Sequence, residues 1–298
     1  MEQSFAEKMF VITGATSGIG QAAVEMLARQ GARLIGVGRS AERCQASERR
    51  LNSLYPQAKV HYLAADLSVQ GEVWQLAERV HETMRSLGMA ALDGLVNNAG
   101  TFTYWLTLTP DGIETQWAVN HLAPFLLTCQ LLPLLRAAPL ARIVTVSSDS
   151  HYTARMDWED PQMRRHYNGL LAYGNTKLAN ILFSRGLNDR LGPLSSVRAF
   201  AADPGLVKTD IGLKGTPPLA HLAWKIRRSG GVSPQEAAEG ILYLLAEPSV
   251  QNSEEVYWKQ GQPKRASTIA LDRQAAEKLW DLSERMCGIS MEALNVPA

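Results

Sequence analysis

The feature that most constrains this chain is an alternation. Short apolar runs at Met9–Thr13, Arg33–Val37, Val60–Ala65, Gly94–Asn97, Ile143–Ser147, Val197–Ala202 and Glu255–Trp258 are separated by longer amphipathic stretches. That pattern favours parallel βαβ units over two separate folds. Between the first two runs, Ile19, Ala23, Met26 and Leu27 share one face of a helix over Gln21–Gln30, and Gly31 supplies the stop. Leu178–Leu191 reads as a second helix, ended by Gly192-Pro193. The chain has 298 residues, 46% of them hydrophobic, enough for one sizeable core. With no internal repeat and no linker, residues 1–298 read as a single doubly wound α/β domain.

Two stretches break the alternation. Asp149–Gly169 is polar and mixed, while Ile211–Gly231 places Gly215, Pro217, Pro218 and Gly230-Gly231 around an apolar patch at Leu219, Leu222, Ala223, Trp224 and Ile226. Long connections at strand ends often hold ligands, so residues 211–231 are expected to form a substrate flap, with plain core packing as the alternative.

The loop after the first run reads Thr13-Gly14-Ala15-Thr16-Ser17-Gly18-Ile19-Gly20 and opens directly into the helix. Glycines here let the chain turn tightly, let backbone approach a pyrophosphate, and let helix pack on strand. Free N–H groups and the positive helix end then face the anion. At the tip of the second run stands Val37-Gly38-Arg39-Ser40. NAD-preferring enzymes place an acid about 20 residues past the glycines for the ribose 2′-hydroxyl. Here the acid is missing and a guanidinium follows, suited to a 2′-phosphate, so NADP(H) is the expected cofactor.

Tyr173-Gly174-Asn175-Thr176-Lys177 opens an apolar helix, and positions i and i+4 share a face. A phenol is a poor acid–base group at neutral pH, and a fixed cation beside it is expected to lower its pKa. Such spacing alone is common, but it stands with other motifs in order. The chain resembles the short-chain dehydrogenase/reductase family over nearly its whole length. Thr13–Gly20 matches the cofactor loop, Asp66-Leu67 the adenine-contacting turn, and Asn97-Asn98-Ala99-Gly100 the motif ending the fourth strand. Asn120 matches the helix-kinking asparagine, Ser148 the catalytic serine, and Pro204-Gly205-Leu206-Val207-Lys208-Thr209 the segment covering the nicotinamide.

The resemblance implies a Rossmann-type parallel sheet of about seven strands and hydride transfer between NADP(H) and a carbonyl or alcohol. It assigns catalysis to Asn120, Ser148, Tyr173 and Lys177. It assigns cofactor contacts to Gly14, Thr16, Ser17, Gly18, Ile19, Gly20, Arg39, Asp66, Leu67, Asn97, Ala99, Gly100, Tyr173, Lys177, Pro204, Gly205, Val207 and Thr209. Ser147 is the alternative to Ser148, since strand alternation sends the two to opposite faces. The 25 positions from Ser148 to Tyr173, the extra stretch Asp149–Leu170 and the ending Glu255–Gly288 resemble retinol dehydrogenase-like members, which act on bulky lipophilic substrates. Reduction of a C=C bond on the same scaffold, or NADP(H) binding without turnover, remain rival readings. Phe102, Tyr104 and Trp105 fit a substrate pocket or ordinary packing, and His121 and His151 read as packing residues.

The formal charge of +1, with acids and bases interspersed, argues against a nucleic-acid partner. Cys44, Cys129 and Cys287 are odd in number and far apart, which suits a reducing compartment without disulfides. No His, Cys or carboxylate cluster has metal-ligand spacing. Residues 1–8 lack the apolar core of a signal peptide, and no run approaches the ~18 apolar residues of a membrane span. The expectation is a cytoplasmic protein with a small-molecule substrate and no integral membrane segment. Family members often pair through the helices carrying Asn120 and Tyr173, which admits a homodimer. Leu126, Leu127, Leu131 and Leu132 suit burial within one subunit equally well.

Overall fold

In a computed structural model, residues 5–208 and 230–290 are described. Every apolar run becomes a strand: β1 (Met9–Thr13), β2 (Arg33–Gly38), β3 (Val60–Ala64), β4 (Gly94–Asn97), β5 (Ala141–Val146), β6 (Val197–Asp203) and β7 (Tyr257–Lys259). Together with β8 (Gln262–Pro263) they form one sheet in the order β3-β2-β1-β4-β5-β6-β7-β8. Pairing is parallel from β3 through β7, with Val11 opposite Ile35 and Leu95. The order reverses at β1 and β4, so the cleft at the carboxyl ends of these strands is where such a sheet holds a ligand.

The eighth strand goes beyond the seven that the resemblance implies. It pairs antiparallel with β7 through a two-residue turn in which Gln260 and Gly261 both take positive φ, 50° and 77°. Paired positive φ values match the right-handed twist of flanking strands, and glycine adopts one of them without strain.

Helices cover both faces. On one lie α1 (Gly18–Arg29) and α7 (Pro234–Ala246), packed through Ala23, Leu27, Ile241 and Leu245 on Phe10, Ile12, Val144 and Phe200. On the other lie α3 (Gln70–Ser86), α5 (Ala123–Arg136), α6 (Gly169–Leu191) and α8 (Arg273–Cys287), burying Leu76, Phe125, Leu182 and Trp280 against Val11, Ile143 and Ala199. Helix α2 (Ala41–Leu54) packs beside β3 at the edge.

A continuous helical stretch, Thr115–Arg136, joins α4 (Thr115–Trp117), a π-helical turn at Ala118–Leu122 and α5. Its mean hydropathy of 1.4 matches a membrane span by length and composition, which the sequence reading did not anticipate. Here 78% of that window is buried inside the protein, and Leu126, Leu127, Leu131 and Leu132 all lie in the core of one subunit. The three cysteines are free and buried.

Candidate active site

The glycine loop is braced from every side. Thr13, at the end of β1, accepts the Asn98 and Ala99 N–H groups on its hydroxyl, each at 3.0 Å. Asn98 Nδ2 donates to the Thr13 carbonyl at 2.8 Å, the Tyr62 hydroxyl to Ala15 at 3.1 Å, and the Arg43 guanidinium to Thr16 at 2.6 Å. Gly14 has φ of 68°, and a Cβ there would stand 2.9 Å from the Ala99 Cα. The helix start itself is left open. Ser17 caps α1 without a side-chain hydrogen bond, and no acid lies in the first turn. An uncapped helix start lined by Gly14, Thr16, Ser17, Gly18, Ile19 and Gly20 fits a pyrophosphate.

Around this loop, Arg39 is exposed just beyond β2, while Arg43 in the first turn of α2 touches the loop directly. Arg43 was not singled out from sequence. Asp66 and Leu67 follow β3, and Asp66 closes its own turn by accepting the Ser68 N–H at 3.0 Å. Of the motif ending β4, Ala99 and Gly100 flank the cleft, but the Asn97 amide is buried and donates to the Thr128 and Thr145 hydroxyls. That side chain therefore ties β4 to α5 and β5. Asn98, the member omitted from the expected contacts, is the one that clamps the loop.

The Tyr–Lys pair lies on α6, which starts earlier than the sequence suggested. Asn168 caps it by accepting the Leu170 and Leu171 N–H groups, both at 3.1 Å. Asn168-Gly169 reads locally as a turn, so the extra helical turn was not legible. Lys177 Nζ donates to the Val146 carbonyl at 3.0 Å and lies 5.2 Å from the centre of the Tyr173 ring. Phe102 packs edge-on against that ring with centroids 6.0 Å apart. Asn120 sits inside the π-helical turn, a distortion often found at functional sites. Its amide accepts the Thr101 N–H at 2.7 Å and donates to the Thr101 carbonyl and the Thr176 hydroxyl. The two serines face different surroundings. Ser147 is buried with its hydroxyl on the Lys177 carbonyl at 2.8 Å, whereas Ser148 is half-buried and caps the helical turn Asp149–Thr153.

The electrostatics depart from expectation. Burial pushes the Tyr173 phenol above its ordinary value, and the Asp203 carboxylate adds to the rise. Burial also lowers Lys177 to about 8, with Asp203 opposing the drop. The rise runs against the depression expected from a neighbouring cation, and its largest cause is desolvation of the phenol.

His151 places Nδ1 on the Ser148 carbonyl at 2.8 Å, while Nε2 accepts the Ser267 N–H at 3.1 Å. Both ring nitrogens are thus spent holding the turn after β5. His121 is buried against Trp117 and Phe125, 2.8 Å from the Ser283 hydroxyl, and burial lowers it to about 3. Pro204, Gly205 and Val207 follow β6, and Val207 bridges to Val232. Thr209 and most of the expected flap at 211–231 lie outside the described residues.

Comparison with known proteins agrees with this geometry. The profile of the short chain dehydrogenase family matches residues 8–217. Mouse retinol dehydrogenase 14 is 35% identical, covering 95% of this chain and 86% of that protein. Human dehydrogenase/reductase SDR family member 13 is 34% identical over 94% of this chain and 73% of its own length. A crystal structure of an uncharacterised protein from Mycobacterium paratuberculosis superposes with a TM-score of 0.73, at 32% identity, over 97% of this chain and 96% of that one. The sheet order, the braced glycine loop and these matches make one conclusion: the chain belongs to the short-chain dehydrogenase/reductase family of nicotinamide-dependent oxidoreductases.

Proposed function

We propose that this protein transfers hydride between NADP(H) and a bulky lipophilic carbonyl or alcohol. The observation that carries the reading is the Lys177 ammonium, held to the Val146 carbonyl and 5.2 Å from the Tyr173 ring, at strand ends beside an open helix start. When bound, the dinucleotide supplies or accepts the hydride. Ser148 donates a hydrogen bond to the substrate oxygen and stabilises charge developing there. Tyr173 gives or takes the proton, and Lys177 holds the ribose hydroxyls and stabilises the phenolate as it forms. The Asn120 amide is already spent on Thr101 and Thr176, so its share in a water relay falls to the backbone of the π turn. Arg39, exposed beyond β2, and Arg43, bonded to the loop, support the preference for a 2′-phosphate. A lipophilic substrate is supported by the apolar side chains exposed on the 101–108 segment and the start of α6, Trp105, Leu106 and Leu170, and by relatives named for retinol.

NADPH absorbance with a panel of aldehydes, ketones and enones tests the reading. Tyr173→Phe is expected to lower turnover about a hundredfold or more while dinucleotide binding persists. Undiminished turnover in that variant refutes it. Arg39→Asp is expected to weaken NADP(H) binding about tenfold or more, and an unchanged dissociation constant rules out the 2′-phosphate assignment.

A further inference from the structure

The stretch from β4 to α4 carries apolar side chains beside the Tyr–Lys pair, and its first residues are held at two points. Near β4, the Asn120 amide accepts the Thr101 N–H at 2.7 Å and donates to the Thr101 carbonyl at 2.9 Å. Two residues on, the Thr103 hydroxyl lies 2.9 Å from the hydroxyl of Tyr167, which belongs to the extra stretch Asp149–Leu170. Between these points stands Phe102, buried and edge-on to the Tyr173 ring. Beyond them, the Tyr104 and Trp105 rings meet edge to face with centroids 4.9 Å apart, and Trp105 is exposed. The start of α6 rests on the backbone of this wall. A Cβ on Gly169 would stand 2.4 Å from the Thr103 carbonyl oxygen and 2.9 Å from that of Tyr104.

Tyr167 is itself tied to a buried polar group. Its hydroxyl donates to Glu114 Oε1 and accepts from Gln116 Nε2, both at 2.8 Å. The phenol has one proton, committed to the carboxylate, so the Thr103 hydroxyl is the donor in their pair. Glu114 and Gln116 are both buried. Glu114 Oε2 accepts the Trp117 N–H at 2.6 Å, and the Glu114 N–H donates to Gln162 Oε1 at 2.8 Å. Gln116 Nε2 also reaches the Gly169 carbonyl at 3.1 Å and the Thr103 carbonyl at 3.3 Å. A half-buried tyrosine could swing, but one bonded to two buried side chains is a fixed post.

We propose that Tyr167 is a positioning residue that fixes the wall at Phe102–Trp105, and that the fixed wall gives the site its preference for long lipophilic substrates over short ones. This inference rests on the reading of the site given above and deepens it. The reacting oxygen needs only Ser148 and Tyr173, whereas an apolar chain extending from it meets the wall. A preformed wall binds that chain without the cost of first ordering the loop. A short substrate ends before the wall and gains nothing from it. Tyr173 is held by α6, so losing the Tyr167 hydroxyl weakens the hold on the chain and leaves proton transfer in place.

Hydrogen exchange and steady-state kinetics test this together. In Tyr167→Phe, amide exchange in residues 101–105 is expected to quicken about fivefold, with exchange in β1 unchanged. Unaltered exchange in 101–105 overturns the positioning role. With decanal and propanal as the long and short aldehydes, KM for decanal is expected to rise about fivefold. KM for propanal, and kcat for both, should stay as in the unsubstituted protein. Equal losses with the two aldehydes indicate a merely structural role and overturn the specificity claim. Thr103→Val breaks only the bond between wall and post, so it gives the same answer should Tyr167→Phe fail to fold. Thr103→Ser, which keeps the hydroxyl, is expected to restore the native ratio of decanal to propanal; a ratio like that of Thr103→Val refutes the bond. Combining Thr103→Val with Tyr167→Phe should add little to the second change alone, and additive losses show that the two residues act apart. If the unsubstituted protein reduces no panel compound, the proposed function fails, while the exchange arm still decides whether Tyr167 holds the wall.

Discussion

Lys177 is pulled in two directions. Burial strips its proton and Asp203 helps retain it, with the balance near 8. Tyr173, raised by burial, keeps its own proton throughout that range. If the protein reduces a carbonyl as proposed, the phenol is expected to stay protonated at neutral pH and the lysine charge to set the alkaline limit. A neutral lysine gives the departing proton no compensation, so kcat/KM is expected to be level at low pH and to fall as pH rises through about 8. A profile level to pH ~10, the ordinary phenol range, contradicts this. Gly14 makes a second expectation at this scale. An added Cβ would meet the Ala99 backbone at 2.9 Å, and φ of 68° is strained for any other residue. Gly14→Ala is expected to abolish dinucleotide binding measured by fluorescence, and native affinity in that variant shows that the loop can shift.

At the scale of elements, strands were easier to read than the contacts that lock them. The seven apolar runs announced β1 to β7 because strands buried between helix layers are apolar nearly throughout. Strand β8 carries Gln262 and Pro263, which have no strand signature, and exists only because the Gln260-Gly261 turn folds it back. Among candidate site residues, the motifs gave Gly14, Asn120, Ser148, Tyr173 and Lys177 local positions. Arg43 and Asp203 were invisible, since their partners Thr16, Tyr257 and Lys259 are distant in sequence. Arg142 on β5 was equally hidden. It is buried with all three side-chain nitrogens lacking a hydrogen-bond partner, it lies 5.9 Å over the Phe200 ring, and burial lowers it to about 10. Replacing a buried charge that has no good partner by an apolar residue of similar volume is often neutral or stabilising. Arg142→Met is accordingly expected to leave Tm unchanged or raise it in thermal denaturation. A loss above ~2 kcal/mol requires a partner for the guanidinium.

For the whole molecule, α8 covers the helices that carry the candidate site. It lies along α6 and reaches the π turn, with Trp280 packed edge-on to Phe125 and stacked with Phe183, and Arg190 held between the Trp280 ring and Glu277. Helices α5 and α6, through which family members often pair, are covered by the same chain. Sedimentation is expected to give a monomer, and a dimer sealed through α5 and α6 would require α8 to leave. Trp280→Ala should cost about 3–5 kcal/mol in denaturant unfolding, the range for a large buried aromatic. A loss under ~1 kcal/mol contradicts the role assigned to this helix.

The bond between His121 and Ser283 has a further meaning when the order of synthesis is considered. Strands and loop emerge from the ribosome first, yet the segment presenting Asn120 is clasped by a helix translated after all of them. A nascent polypeptide can therefore complete its strands before the segment presenting Asn120 gains the support of residues 273–287.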